Sequence, residues 1–300
     1  MRKFAAIGMA AVIAAGLSAC SSSSKTASGT TTPATTTTTK PACPVSSAYS
    51  HTVGKVSDFK PVVANTLSVV TSLPGPGFWE GSDTDPTKLT SGYEYDIAKQ
   101  LQKQFGLAKL SVRNVGFDAI VAGSVTNYDI ALSQISIRCD RAKVATFSMP
   151  YFESQQGVLT KTGKSITTLA EAKTAKWGVE TATTAIDLLK KIGVDNPHSY
   201  QSLADAYTAL DAGQIDAVLI DTAINLGEAA RSNGKFHVTS QFNQLTGPDE
   251  YGAILPKGSA NIGAVNAVFK QMKDSGEFSR LTTKDLTADP GTLPVIKIPA

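Results

Sequence analysis

Between residues 67 and 274 the chain alternates, almost without interruption, between short strand-like runs and amphipathic stretches. This alternation constrains the fold more than any other feature. Residues 67–70 read as a strand. Residues 93–105 predict a helix, because Tyr93, Ile97, Leu101 and Phe105 recur at period four and Gly106 follows as a stop. Strands are expected at 110–112 and 128–132, with a short helix from Phe117 between them. A strand at 177–179 leads into a helix over 184–191, opened by a capping-box pattern at Thr184-Ala-Ile-Asp187. A second such pattern, Ser202-Leu-Ala-Asp205, opens a helix that stops at Gly213. A buried strand at 215–220, a helix at 222–232, strands at 236–238 and 251–255, and a helix at 262–274 complete the series. Such β–α order implies an α/β fold with largely parallel sheets, which bind ligands at the C-terminal ends of their strands.

The N-terminus sets the compartment. Arg2 and Lys3 precede an uncharged, Ala-rich apolar run over 4–16. The run is too short to cross a bilayer comfortably and reads as a secretory signal. It ends in Leu17-Ser18-Ala19-Cys20, which resembles the bacterial lipobox, where the Cys thiol takes a lipid. Residues 1–19 are therefore expected to be a lipoprotein signal peptide and Cys20 the lipidation site; an ordinary signal peptide with a chance Cys is the alternative. Residues 20–49 are rich in Ser and Thr, with Pro33, Pro41 and Pro44, and hold too little apolar surface to offset ordering entropy. A disordered tether is expected there.

The whole chain is 42% hydrophobic, enough for a sizeable core. Removing Arg2 and Lys3 with the leader leaves 26 basic against 25 acidic residues, so no electrostatic footprint points to nucleic acid. With Cys20 lipidated, Cys43 and Cys139 remain, and two thiols in an oxidising compartment suggest one disulfide, two unpaired cysteines being the alternative. There is no CxxC and the three His are scattered, so neither a metal nor a cofactor is expected.

The most specific signals are local. Residues 128–144 read Tyr-Asp-Ile-Ala-Leu-Ser-Gln-Ile-Ser-Ile-Arg-Cys-Asp-Arg-Ala-Lys-Val, followed by Phe147-Ser-Met-Pro-Tyr-Phe-Glu153. This resembles the signature of bacterial solute-binding protein family 3, the extracellular polar-amino-acid-binding components of ABC importers. Gly92-Tyr-Glu-Tyr-Asp-Ile-Ala98, Phe117-Asp118, Gly178-Val-Glu-Thr-Ala-Thr-Thr184 and Gln214-Ile-Asp-Ala-Val-Leu-Ile-Asp221 are similar to further family motifs, in the family's order. The resemblance covers about residues 56–286.

The resemblance implies a two-lobed α/β fold of the periplasmic-binding-protein type II class. Lobe one would be 50–154 plus 251–289, lobe two 155–250, with a C-terminal tail over 290–300 and a hinge at 152–156 and 249–252. It also implies a ligand site. Arg141, Ser136 and Thr184 would hold an amino-acid carboxylate: the first as a planar fork, the last at a helix N-terminus. Asp221 would take the ammonium, sharing it with Ser136 and the backbone of Gln134. Thr183 and Ser72 join the set, and Phe78, Trp79 and Phe117 are candidate walls for the ligand side chain. Read singly, Arg141 could instead pair with Asp140, Asp221 could cap the following helix, and Phe117 could be core.

The sequence departs from the family pattern in places. Thr71 replaces an acid, Ala182 a Gly, and Arg138-Cys139 a Thr-Pro. The long loop 72–79 is similar to that of actinobacterial glutamate-type binders, which suggests glutamate, glutamine or asparagine as ligand. The expected role is a monomeric, lipid-anchored binder delivering a small polar amino acid to ABC permease subunits, not an enzyme. Two rivals remain: a two-lobed enzyme such as a cyclohexadienyl dehydratase, for which Glu180 and Glu153 are the candidate acids, and a sensory lipoprotein.

Overall fold

The structure is a computed structural model describing residues 44–243, 247–286 and 292–298. Cys20 and Cys43, and with them the expected lipid site and one end of the expected disulfide, lie outside these residues. Cys139 is disulfide-bonded.

Two mixed sheets carry the fold. The first has the order β2-β1-β3-β10-β4, built from β1 (Thr66–Thr71), β2 (Lys109–Asn114), β3 (Ile130–Ala131), β4 (Ala145–Ser154) and β10 (Asp249–Pro256). The second has the order β11-β9-β5-β8-β6-β7. Its strands are β5 (Gln156–Lys161), β6 (Trp177–Glu180), β7 (His198–Tyr200), β8 (Ala217–Asp221), β9 (Phe236–Phe242) and β11 (Val295–Ile296). The expectation of largely parallel sheets holds for all but one strand in each. In the first sheet β10 runs antiparallel to β3 and β4, and in the second β5 runs antiparallel to β8 and β9. Each reversed strand sits where the chain passes between sheets: β4 leads into β5 across Gln155 alone, and β9 ends seven residues before β10 begins.

The helices are α1 (Tyr93–Gln104), α2 (Phe117–Val121), α3 (Leu169–Thr174), α4 (Thr184–Lys191), α5 (Leu203–Asp211), α6 (Thr222–Arg231), α7 (Ile262–Asp274) and α8 (Glu277–Asp285). In α1 the period-four stripe buries Tyr93, Ile97 and Leu101, and the helix ends where Phe105 donates to Leu101 O and Gly106 turns to φ +67°. Its N-cap, Gly92, has φ +120°, and a Cβ there would meet Phe78 O at 2.4 Å, so only glycine fits. The capping patterns fare unevenly. Ser202 Oγ accepts from Asp205 N as expected. At α4 the N-cap is Thr183, one residue before the expected position, and its side chain makes no capping bond. The complete capping box lies at Thr168 and Glu171 on α3.

The core packs against both sheets. Val70, Phe117, Ile120, Phe147 and Ile254 cluster around the first, and Trp177, Val179, Leu189, Leu219 and Phe242 around the second. Each such side chain contributes roughly 1.5–3 kcal/mol by leaving water. Two expected tails take part in this packing. Ala48, expected in the tether, is buried beside Val70 and Phe147. The described part of the expected C-terminal tail supplies β11, and Ile296 and Ile298 enter the second core.

Candidate functional site

β1, β6 and β8 deliver their C-terminal ends, and β3 the loop that follows it, to one cavity, as parallel strands in an α/β fold do. The empty space within its lining is about 370 Å³, open solvent included. Its lining includes Ser72, Phe117, Gln134, Ser136, Arg141, Thr183, Thr184 and Asp221, eight of the ten residues expected from the sequence. Ser133, Glu180 and Leu203 also line it, with Pro74, Ile220 and Ile224.

Phe78 and Trp79 are absent from that lining, which corrects the expectation that they form walls. Phe78 lies among Tyr93, Phe152 and Tyr251, and is fully buried. Trp79 donates its indole N–H to Glu94 Oε2 at 2.7 Å. A Pro/Gly-rich loop turned these two aromatics inward, away from the ligand space, because burying large rings outweighs exposing them at a cleft.

Arg141 is 6% exposed. Its guanidinium donates to Ser136 O at 2.9 Å and to Ala182 O at 2.8 Å, and sits 5.3 Å over the Phe117 ring. Asp140, the rival partner, is taken by Arg138, whose fork donates to both of its oxygens at 3.0 Å. Among the described residues the bonds its fork makes go to backbone carbonyls and not to a carboxylate, and burial, then the charge of Arg138, lowers its pKa to about 10. Two backbone carbonyls fix the plane of the fork while three of its five N–H groups remain unused by these bonds. Ala182, where the family pattern has Gly, adopts φ +65° to present its carbonyl to Arg141.

Asp221 is 4% exposed and occupies the N-cap position of α6, yet makes no capping bond. Its Oδ1 is buried without a hydrogen-bond partner among the described residues. Burial, then the charge of Asp249, pushes its pKa up to about 8. A buried carboxyl in this position asks for a cation or a donor. Glu180, at the end of β6, is 6% exposed and pushed up to about 8 by burial and by the charge of Asp118, with a hydrogen bond to Ser72 opposing. In the sequence Glu180 stands only as a candidate catalytic acid. The signal that finds it for binding is the one that finds Asp221: an acid closing a buried strand. Glu153, the other candidate acid, is exposed on β4 and lines no part of the cavity.

A third buried acid holds the site from behind. Glu94 on α1 is fully buried and accepts from Trp79, from Gln134 N at 2.7 Å, from Gln134 Nε2 at 2.5 Å and from the Tyr151 hydroxyl. It pins Gln134, whose φ of +49° is left-handed, at the cavity edge. Thr184 Oγ1 accepts from Gln156 Nε2 at 3.0 Å and donates to Asp249 Oδ2 at 3.1 Å, so the first residue of α4 is tied to the crossing strands.

Known proteins share this architecture. An ancestral arginine-binding protein bound to glutamine superposes with a TM-score of 0.64 at 27% identity, covering 74% of this chain and 98% of the other. The L-cystine-binding protein TcyJ of Escherichia coli (strain K12) is 31% identical over 212 residues, 68% of this chain and 77% of its own. The ABC transporter glutamine-binding protein GlnH of Bacillus subtilis (strain 168) is 30% identical over 221 residues, 66% of this chain and 74% of its own. The model of one family matches residues 81–287, a span containing all four motifs from Gly92 to Asp221, and the chain belongs to that family, the bacterial extracellular solute-binding proteins, family 3.

Proposed function

We propose that the protein is the substrate-binding component of an amino-acid ABC importer, held at the outer face of the cell membrane by a lipid on Cys20, and that it closes two lobes around the α-amino-acid head group of its ligand. The observation that carries this reading is the pairing of opposite, unspent charges in one cavity. Arg141 offers a fork fixed by two backbone carbonyls, and Asp221 a buried carboxyl whose Oδ1 has no hydrogen-bond partner among the described residues, Tyr251 and Gln156 engaging the group otherwise. A zwitterion supplies the complement of each: its carboxylate to Arg141, Ser136 and the α4 N-terminus with Thr183 and Thr184, its ammonium to Asp221 and the Gln134 edge. The relatives point the same way, being named for arginine, cystine and glutamine binding.

Closure follows from the placement of these groups. Arg141 follows the first sheet's β3, and Asp221 ends β8 of the second. A ligand touching both favours the closed arrangement by its differential contacts. The crossing segments at 152–156 and 249–252 serve as hinges between lobe one (50–154 with 251–289) and lobe two (155–250). The closed shape is what the permease reads.

The test is uptake. Deleting the protein should abolish import of one labelled amino acid by whole cells, and the wild-type chain but not Arg141→Ala should restore it. Cys20→Ser should release the protein into the medium. Ligand recovered chemically altered after incubation would favour the enzyme reading instead, and unimpaired uptake with lost chemotactic or regulatory output would favour a sensor.

A further inference from the structure

Among the described residues, the cavity lining carries three ionisable side chains: Arg141, Asp221 and Glu180. The α-carboxylate and α-ammonium of an amino acid engage the first two. Glu180 remains. It projects from the end of β6 into the cavity lining, is 6% exposed, and has beside it the Ser72 hydroxyl and a second acid, Asp118 on α2. The Tyr207 ring of α5 also lies within its electrostatic reach, with a hydroxyl that is buried and without a hydrogen-bond partner among the described residues. The cation on the adjoining face, Arg231, is engaged by Glu228 and Asp83 and does not line the cavity.

We infer that Glu180 is the specificity-determining residue of the cavity and that the ligand is an α-amino acid with a cationic side chain, a guanidinium, ammonium or imidazolium. This rests on the amino-acid reading above and sharpens it. A zwitterion with a neutral side chain leaves Glu180 either a buried unpaired anion or a protonated acid, and a buried charge without its partner is strongly unfavourable. An acidic side chain would add a further carboxylate beside Glu180 and Asp118, with Arg141 already engaged. A cationic side chain supplies the missing charge and, as guanidinium or ammonium, donates to the acid and the neighbouring hydroxyls together. The lean towards glutamate, glutamine or asparagine drawn from the 72–79 loop gives way here, because Phe78 and Trp79 of that loop pack into the core rather than the cavity.

The experiment is calorimetric titration of the full chain with L-arginine, L-lysine, L-histidine, L-glutamine, L-glutamate and L-cystine, beside Glu180→Gln and Glu180→Asp variants of confirmed melting temperature. Wild type should bind one of the three basic amino acids most tightly. Glu180→Gln should weaken that binding about 10- to 100-fold, the range for losing a charged hydrogen bond, and leave glutamine unchanged or improved. Glu180→Asp, which keeps the charge on a shorter arm, should retain a preference for basic ligands. Tightest binding of glutamine, glutamate or cystine by wild type, or a basic preference that survives Glu180→Gln, overturns the inference while leaving amino-acid binding intact. Binding of none of the six overturns the amino-acid reading and this inference together.

Discussion

Two buried acids of this molecule, Glu94 and Asp221, differ in what their surroundings do for them. Glu94 lies behind the cavity and accepts hydrogen bonds from an indole, a tyrosine hydroxyl, a backbone amide and a side-chain amide. Asp221 lines the cavity and keeps one oxygen, fully buried, with no bond among the described residues. Burial raises both, Glu94 to about 7 and Asp221 to about 8; four hydrogen bonds pull against desolvation at Glu94, whereas at Asp221 the charge of Asp249 adds to it and hydrogen bonds from Tyr251 and Gln156 oppose it. On the reading proposed above, the saturated acid holds structure and the one with a free oxygen at the end of a buried strand meets the ligand. Mutation should separate the two roles.

The largest effects should fall on binding at the cavity. Arg141→Ala should abolish amino-acid binding, a loss of about 2–5 kcal/mol or more, because the ligand carboxylate would be left buried without a counter-ion. Asp221→Asn should weaken binding about 100-fold, yet raise the melting temperature of the ligand-free protein at pH 8, because it removes a buried anion that faces the charge of Asp249 without a counter-ion bonded to it among the described residues. Glu94→Gln should do the reverse. It should lower stability by about 1–3 kcal/mol, as the four-donor arrangement loses an acceptor, and weaken binding by less than Asp221→Asn does. Equal losses of binding and of stability from both substitutions would erase the distinction.

The pH dependence is next in size. Asp221, Glu180 and Glu94 all have raised pKa values, so the folded state holds protons that the unfolded state releases. Stability of the ligand-free protein must then fall as pH rises from the ordinary carboxylate range, about 4, to about 8. Thermal melts across that window should show it, and Asp221→Asn should flatten the slope. The smallest effect is expected from the pairs Arg138–Asp187 and Arg231–Asp83, which tie residues flanking the first sheet to α4 and α6. Both are partly exposed, so removing either should change binding by about 2- to 5-fold, and less at high salt. The close approach at Gly227 is stiffer than either pair. A Cβ there would meet the Pro76 backbone at 2.7 Å, so Gly227→Ala should hinder closure more than loss of an ion pair does.

Much of this was legible in the sequence, for identifiable reasons. α1, α7 and β8 announce themselves through apolar spacing that their burial repeats. β4 does not, because Ser148, Pro150 and Glu153 break any alternation, and the strand exists through its pairing with β10. α8 shows no clear stripe because Leu281 is its one buried residue and, Phe278 aside, its other positions carry Thr, Ser and charge. The antiparallel settings of β5 and β10 are tertiary, set by where the chain crosses between sheets, and no local pattern encodes them. In the cavity, Arg141 and Asp221 were found through family motifs, and their geometry disposes of the simpler roles: Arg141 leaves Asp140 to Arg138, and Asp221 caps nothing. Phe78 and Trp79 misled, since aromatic residues in a Gly-rich loop look alike whether they face a ligand or a core. Glu180 stood in the sequence only as a candidate acid, because an acid in isolation does not reveal whether it donates a proton or receives a cation.

The central claim is that one cavity holds an α-amino acid between Arg141 and Asp221. Calorimetric titration of the protein with the twenty amino acids, beside Arg141→Ala and Asp221→Asn, tests it most directly. The account predicts micromolar or tighter binding of at least one amino acid, lost in Arg141→Ala and strongly weakened in Asp221→Asn. Binding that survives both substitutions, or no binding of any amino acid by the wild-type chain, would contradict it.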